Sequence, residues 1–193
     1  FGLHDNYQDM YDDAPSFDTK YLMYNKDGRP QTGGVWAGGT PYLMASDKAM
    51  EFAYRNLPQV KDLFSPNSYF IDTTFNEPLA VSYAPNVLSR SEDMHWKQTL
   101  AGYAQDTFGV FGSEGGVEWA VPYGDYFEGI LSKKTQAEPG SHIVPLMELA
   151  YGDCVALYPH MSEKIGTNGY NIRTAQCSCS ARTMGAQFAP RRK

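Results

Sequence analysis

The sequence predicts a parallel α/β fold, a partial (β/α)8 barrel. Two observations lead to this class. Short runs of apolar, β-branched or aromatic residues end in acidic or polar residues, and helical patterns separate these runs. Alternating strands and helices imply parallel strands, whose carboxyl ends meet at one edge. The chain has 193 residues and a complete barrel takes about 250. We therefore expect residues 1–165 to be a fragment of a larger catalytic domain.

Each predicted element has its own signal. Ser46 is a candidate N-cap for a helix over 46–57, which Pro58 should interrupt, and the pattern allows a further turn through Leu63 and Phe64. The residues from Ser89 to Glu92 form a capping box that starts a second helix, ending near Asp106. Short apolar and aromatic patterns predict strands at 1–3, 68–72, 108–114, 126–131 and 154–158.

Two stretches show no helix or strand pattern. Residues 33–39 are glycines and small residues around Trp36, which predicts a loop that projects the indole ring. Residues 166–193 lack periodicity and carry unmatched arginines. We expect this tail to be irregular, either disordered or not native sequence.

Composition and charge exclude several function classes. The formal net charge is −6 and no basic stripe is present, so nucleic acid is not an expected partner. No run of 18 apolar residues occurs, which excludes a membrane-spanning helix. Phosphate-binding, dinucleotide-binding and zinc-protease motifs are absent, so neither a cofactor nor a metal is expected. The sequence does not decide between a secreted and a cytoplasmic protein.

Two carboxylates end neighbouring predicted strands. Asp72 closes one strand and is followed by Thr73 and Thr74, hydroxyls that we expect to hold it ionised, as a nucleophile requires. Glu114 closes the next strand, where Phe111 and Trp119 could desolvate it as a general acid requires. Asp72 could instead cap a turn, Glu114 could be solvated, and an open sheet would still bring both to one edge. Spacing alone does not decide between retaining and inverting chemistry.

Other residues are candidates for binding a sugar. His4 and Asp5 close the first strand and offer polar groups to hydroxyls, although a structural pair is an equal alternative. Trp36 is a stacking platform or a plug for the loop. The remaining candidates are Trp119, beside Glu114, and Asp125. Glu118 is a rival acid, and Glu128 could join Asp125 on a hydroxyl or ion.

Five segments, in this order, resemble a bacterial glycoside hydrolase-like barrel family similar to the α-N-acetylgalactosaminidases of glycoside hydrolase families 101 and 129. The segments are 3–7, 33–36, 69–73, 112–116 and 121–129. The resemblance implies that Asp72 is the nucleophile and Glu114 the acid/base of a retaining glycosidase. It further implies an α-linked sugar, N-acetylgalactosamine of mucin-type glycans above all, bound through His4, Asp5 and Trp36. The partner would be a carbohydrate or glycoprotein glycan.

Two alternatives stay open at this stage. A non-catalytic carbohydrate-binding barrel would keep Trp36 and the polar strand ends without needing a carboxylate pair. A metal-assisted hydrolase would gather Asp5, Asp72, Glu114 and Asp125 around an ion.

Overall fold

The computed structural model describes residues 1–129, 144 and 146–158, and its main element there is a five-stranded parallel sheet. The strands are β1 (Gly2–Asn6), β2 (Asp9–Met10), β3 (Tyr42–Leu43), β4 (Ser68–Asp72), β5 (Phe111–Glu114), β6 (Tyr126–Glu128) and β7 (Ala156–Tyr158). The order of the strands across this sheet is β1-β4-β5-β6-β7. A separate antiparallel pair, β2 and β3, lies between β1 and β4 in the chain.

Two long helices cover one face of the sheet. They are α1 (Ser46–Phe64) and α2 (Arg90–Phe108), and a short α3 (Leu146–Tyr151) precedes β7. The two long helices pack against each other, and α2 also packs on β4 and β5. The predicted capping box is confirmed, because the Ser89 side chain accepts from the Glu92 amide while the Glu92 side chain accepts from the Ser89 amide. Parallel strands joined through helices confirm the predicted partial barrel.

Helix α1 departs from its prediction at both ends. It continues through Pro58 to Phe64, because Pro58 and Tyr54, four residues earlier, both lie on the exposed side. Water can therefore bind the carbonyl that proline leaves without a donor. The N-cap is Ala45, and Ser46 is the first helical residue.

The two faces of the sheet differ in what they bury. On the helix side, Tyr69 and Ile71 of β4 are buried with Phe111 of β5, and the Tyr69 ring stacks on that of Phe108 at 4.3 Å. The intervening residues of β4 face the opposite side. There the Phe70 ring lies 6.2 Å from that of Tyr126. Gly112 lies between them, and a Cβ at Gly112 would overlap the Tyr126 ring.

The observed boundaries differ from those of the predicted strands, and the structure adds an antiparallel pair. Phe108 ends α2, so β5 begins only at Phe111, and β7 begins at Ala156. Strand β6 ends at Glu128, and the predicted continuation over 130–131 lies outside the described residues, as does the tail 166–193. The β2–β3 pair was not predicted, because two-residue strands leave no periodicity to read. In the described residues, no helix is long and apolar enough to cross a membrane.

Candidate active site

Asp72 and Glu114 lie next to each other at the carboxyl edge of the sheet. The last paired residues of β4 and β5 are Ile71 and Ser113, and the two carboxylates follow them directly. Both side chains therefore extend from the face opposite the helices, since side chains alternate along a strand. Asn6 pairs with Asp72 on one side, and Glu128 pairs with Glu114 on the other. Three carboxylates and an amide thus form one row across four strands.

Each of the two strands turns sharply directly after its carboxylate. Thr73 has φ of 59° and Gly115 has φ of 64°, both in the left-handed region. The turn after Asp72 is closed by the main-chain N–H of Asn76, which donates to the Thr73 carbonyl at 3.2 Å. A left-handed β-branched residue is strained, and such strain is concentrated at functional sites.

Asp72 is partly exposed and has a histidine beside it. Its Oδ2 lies 3.9 Å from Nε2 of His4, whose side chain is largely exposed. The two hydroxyls that follow were expected to hold the carboxylate, but the structure corrects this. Oγ1 of Thr73 donates to the main-chain carbonyl of Asp72 at 2.8 Å, and Thr74 points to the same carbonyl. These hydroxyls therefore fix the backbone of Asp72.

Glu114 is contacted from the turn after β4. Nδ2 of Asn76 donates to its Oε2 at 3.1 Å. The aromatic rings expected to desolvate Glu114 are placed elsewhere. Phe111 lies on the helix side of β5, and Trp119 packs edge-on against Phe75 at 5.3 Å in the aromatic core. The side-chain amide of Asn76 therefore contacts the Glu114 carboxylate.

A cleft of about 410 Å³ opens beside the turn after Asp72. Four parts of the chain line it: the β2–β3 region, the start of α1, the turn after β4 and the first half of α2. Trp36 stands at its rim with 57% of its surface exposed. The lining side chains with polar or aromatic character include Asp9, Trp36, Thr73, Glu77, Trp96 and Lys97.

The charge in the cleft is mainly negative. Asp93 and Lys97 form a buried ion pair at 3.2 Å, so the lysine charge is neutralised locally. Burial raises the pKa of Asp9, the hydrogen bond from Asn6 opposes this, and the charges of Asp72 and Glu77 raise it further. Asp9, in the cleft lining, therefore lies near enough to Asp72 for their negative charges to interact.

Three predicted binding residues are not brought to this site. Asp5 faces the helix side, where its carboxylate accepts a hydrogen bond from the Tyr69 hydroxyl at 3.2 Å. Asp125 lies at the amino end of β6, the opposite edge of the sheet, and accepts from the Phe111 amide and from Gln105. Trp119 belongs to the aromatic core. We therefore leave Asp5, Trp119 and Asp125 out of the site, which keeps His4 and Trp36.

The separation of these residues also bears on a metal site. Asp5 and Asp125 are directed away from Asp72 and Glu114, so the four do not form one ligand set. Across the part of the chain that the structure describes, no group of three or more histidine, cysteine or acidic side chains is arranged to hold a metal ion.

Several site residues were missed from sequence. Asn6 joins the row only through strand register, and Glu128, which the sequence offered only as a companion of Asp125, joins it in the same way. A correct alignment of the strand ends could have placed both. Asp9 begins the two-residue strand β2, Asn76 and Glu77 lie in the irregular segment after β4, and no sequence signal marks any of the three. Their position depends on how the turns fold back over the sheet.

Comparisons with known proteins support the fold. No protein-family model matches the chain, and no curated protein matches it. Among solved structures, it is similar to the α-N-acetylgalactosaminidase NagBb from Bifidobacterium bifidum in complex with GalNAc. That match has a TM-score of 0.74 and 20% identity, and covers 94% of this chain and 34% of NagBb.

A second similar structure is TtGalA, an α-galactosidase from Thermus thermophilus, in complex with stachyose. Its TM-score is 0.54 at 12% identity, over 88% of this chain and 40% of that one. The chain thus spans about a third of the length of NagBb. The likeness establishes a glycoside hydrolase-like barrel fold, of which this chain forms part.

Proposed function

We propose that this protein is a retaining glycosidase for α-linked sugars, with Asp72 as nucleophile and Glu114 as acid/base. One observation carries the proposal: the two carboxylates end adjacent parallel strands on the same face of the sheet. In barrel enzymes this edge is where chemistry takes place. The similar folds of NagBb and TtGalA, both named as α-glycosidases, support the reaction class.

The strand spacing is compatible with the carboxyl separation of a retaining enzyme. Adjacent strands are about 4.8 Å apart, and retaining enzymes hold their carboxyl groups about 5–5.5 Å apart, whereas inverting enzymes need roughly 6.5–9.5 Å. The carboxylate of Asp72 attacks the anomeric carbon while Glu114 protonates the leaving oxygen, which breaks the glycosidic bond. Glu114 then removes a proton from water, and the water oxygen displaces Asp72 from the anomeric carbon.

The cleft supplies the binding surface in this proposal. The indole of Trp36 offers an exposed flat face on which a pyranose can stack. Asp9 and His4 flank Asp72 and can bind sugar hydroxyls. The leading substrate is an α-linked N-acetylgalactosamine on a mucin-type glycan, supported by the GalNAc-bound neighbour.

The test measures hydrolysis of 4-nitrophenyl α-N-acetylgalactosaminide by the natural polypeptide that carries this sequence. We expect Asp72→Asn and Glu114→Gln each to lower kcat at least about a hundredfold, because each removes a group that acts on the reacting atoms. Glu118→Gln is the matched control, since this exposed glutamate lies four residues beyond Glu114. It should keep wild-type turnover.

Azide separates the two roles. With Asp72→Gly, azide replaces the missing nucleophile in one displacement and should give the β-glycosyl azide. With Glu114→Ala, azide intercepts the glycosyl-enzyme and should give the α-glycosyl azide. Wild-type turnover by Asp72→Asn on a hydrolysed substrate would overturn the assignment.

A non-catalytic carbohydrate-binding barrel is the second candidate, favoured by the exposed Trp36 at the cleft rim. It predicts sugar binding without turnover. Calorimetric binding that is lost in Trp36→Ala and unchanged in Asp72→Asn, with no hydrolysis by the wild type, would select this candidate.

A further inference from the structure

Asn76 links the two strand ends that carry the proposed catalytic carboxylates. It lies in the turn after β4, yet its side-chain amide reaches the carboxylate at the end of β5. The Asn76 Nδ2 to Glu114 Oε2 distance is 3.1 Å. This hydrogen bond therefore connects the turn after Asp72, the proposed nucleophile, with Glu114, the proposed acid/base.

The turn that carries Asn76 is fixed on both sides. On one side, the main-chain N–H of Asn76 donates to the Thr73 carbonyl, and the Thr73 hydroxyl donates to the Asp72 carbonyl. On the other side, the amide of Ala80 donates at 2.8 Å to Oδ2 of Asp93, which is only 1% exposed. A side chain held on such a turn can direct its amide at one oxygen of a partner, because little of the backbone is left to move.

The end of β5 leaves room for this contact only because residue 115 is glycine. A Cβ at Gly115 would lie 2.6 Å from the Cα of Asn76. The two turns are thus in direct backbone contact immediately beyond Asp72 and Glu114. The amide of Asn76 reaches Glu114 across this contact.

We propose that Asn76 is a positioning residue for Glu114, which orients its carboxyl for proton transfer. This inference rests on the proposed glycosidase function. Oε2 accepts the hydrogen bond from Asn76, and this bond fixes the direction of that oxygen. The amide also favours the ionised form, which the same group needs when it takes a proton from water in the second step.

The experiment compares Asn76→Ala, Asn76→Asp and Glu114→Gln in the natural polypeptide. Asn76→Asp is nearly isosteric and replaces the amide donor with a second carboxylate. Asn25→Asp, at an exposed turn, is the matched control. The substrates are aryl α-N-acetylgalactosaminides with a poor leaving group, phenol, and a good one, 2,4-dinitrophenol, which departs without protonation.

The expected result has two parts. Asn76→Ala should lower kcat/KM about tenfold on the phenyl substrate and little on the dinitrophenyl substrate. The alkaline limb of the phenyl pH profile should move to higher pH in Asn76→Ala, because the ionised form has lost a donor. It should move further in Asn76→Asp, because like charges disfavour ionisation. Asn25→Asp should match the wild type.

The outcomes separate the two proposals. An unchanged alkaline limb in both Asn76 variants, or equal losses on both substrates, would show a merely structural role and overturn the inference while Glu114→Gln remains inactive on the phenyl substrate. If Glu114→Gln itself keeps wild-type activity on that substrate, the proposed function fails, and the inference fails with it.

Discussion

Replacing Gly115 by alanine tests whether the two turns must touch. The new methyl group would lie 2.6 Å from Cα of Asn76 and 2.9 Å from its Cβ, so backbone must move to admit it. Gly115 also has φ of 64°, and a left-handed alanine costs about 1–2 kcal/mol. Overpacking adds roughly 1–3 kcal/mol. We therefore expect Gly115→Ala to lower the free energy of unfolding by about 2–5 kcal/mol.

A control separates conformational strain from the clash. Gly28 has φ of 81°, and a methyl group placed there would have nothing within 4 Å, so Gly28→Ala carries the strain alone. Part of that strain is offset by the less flexible unfolded chain, which leaves about 1 kcal/mol. Urea denaturation measures both variants.

Activity is the second measurement for this pair. Displacement of the Asn76 turn by about an ångström should lower kcat about a hundredfold in Gly115→Ala, whereas Gly28→Ala should keep wild-type turnover. Equal unfolding free energies for the two variants, with full activity in both, would refute the claim that the turns interlock.

Three further predictions concern the cleft. Trp36→Ala should raise KM about three- to tenfold on the aryl glycoside with an unchanged urea midpoint, because the ring is exposed; a shifted midpoint would make Trp36 a structural plug. Lys97→Met should lower the free energy of unfolding, measured by urea denaturation, by about 3–5 kcal/mol, because it leaves the buried Asp93 charge without its partner. Adding Asp93→Asn should recover most of this loss, and equal losses in the single and double variants would contradict the prediction. Because the folded-state pKa of Asp9 is raised above 3.8, the wild type should lose stability relative to Asp9→Asn as the pH rises from about 3 to about 7. If the difference in urea midpoint between the two proteins were the same at both pH values, the predicted sign would be contradicted.

The strand ends could be predicted from the sequence because each signal was local. Residues 68–72 are β-branched and aromatic and end in an acid, and the same pattern recurs before Glu114. Once the strands were taken as parallel, Asp72 and Glu114 had to meet at one edge. The structure confirms that their strands are neighbours.

The face on which a residue lies was harder to predict. Asp5 and His4 are consecutive, so strand alternation sends one to the helices and the other toward Asp72. Phe111 and Glu114 are three residues apart, which places them on opposite faces. Because each pair is close in sequence, we had expected His4 and Asp5 to share one site and Phe111 to lie against Glu114. The parity of positions along each strand is the signal that would have corrected these assignments.

Contacts between distant turns could not be predicted. Nothing in the residues around Asn76 indicates that its amide reaches Glu114, because the contact depends on where α2 anchors Ala80 through Asp93. The segment between β2 and β3, which carries Trp36, has the same difficulty, since these strands have only two residues each. Such features follow from packing between segments, which a single sequence does not encode in any local pattern.

The two left-handed turns differ in residue type because their surroundings differ. At position 115 the neighbouring backbone of Asn76 leaves no space for any Cβ, so glycine is required there. Position 73 carries threonine at φ of 59°, a conformation that costs about 1–2 kcal/mol. The Thr73 hydroxyl donates at 2.8 Å to the Asp72 carbonyl, and a net hydrogen bond of about 1 kcal/mol offsets much of that cost. Strain at position 73 is thus balanced by a bond that fixes the backbone of the proposed nucleophile, while glycine at position 115 admits the turn whose Asn76 contacts the proposed acid/base.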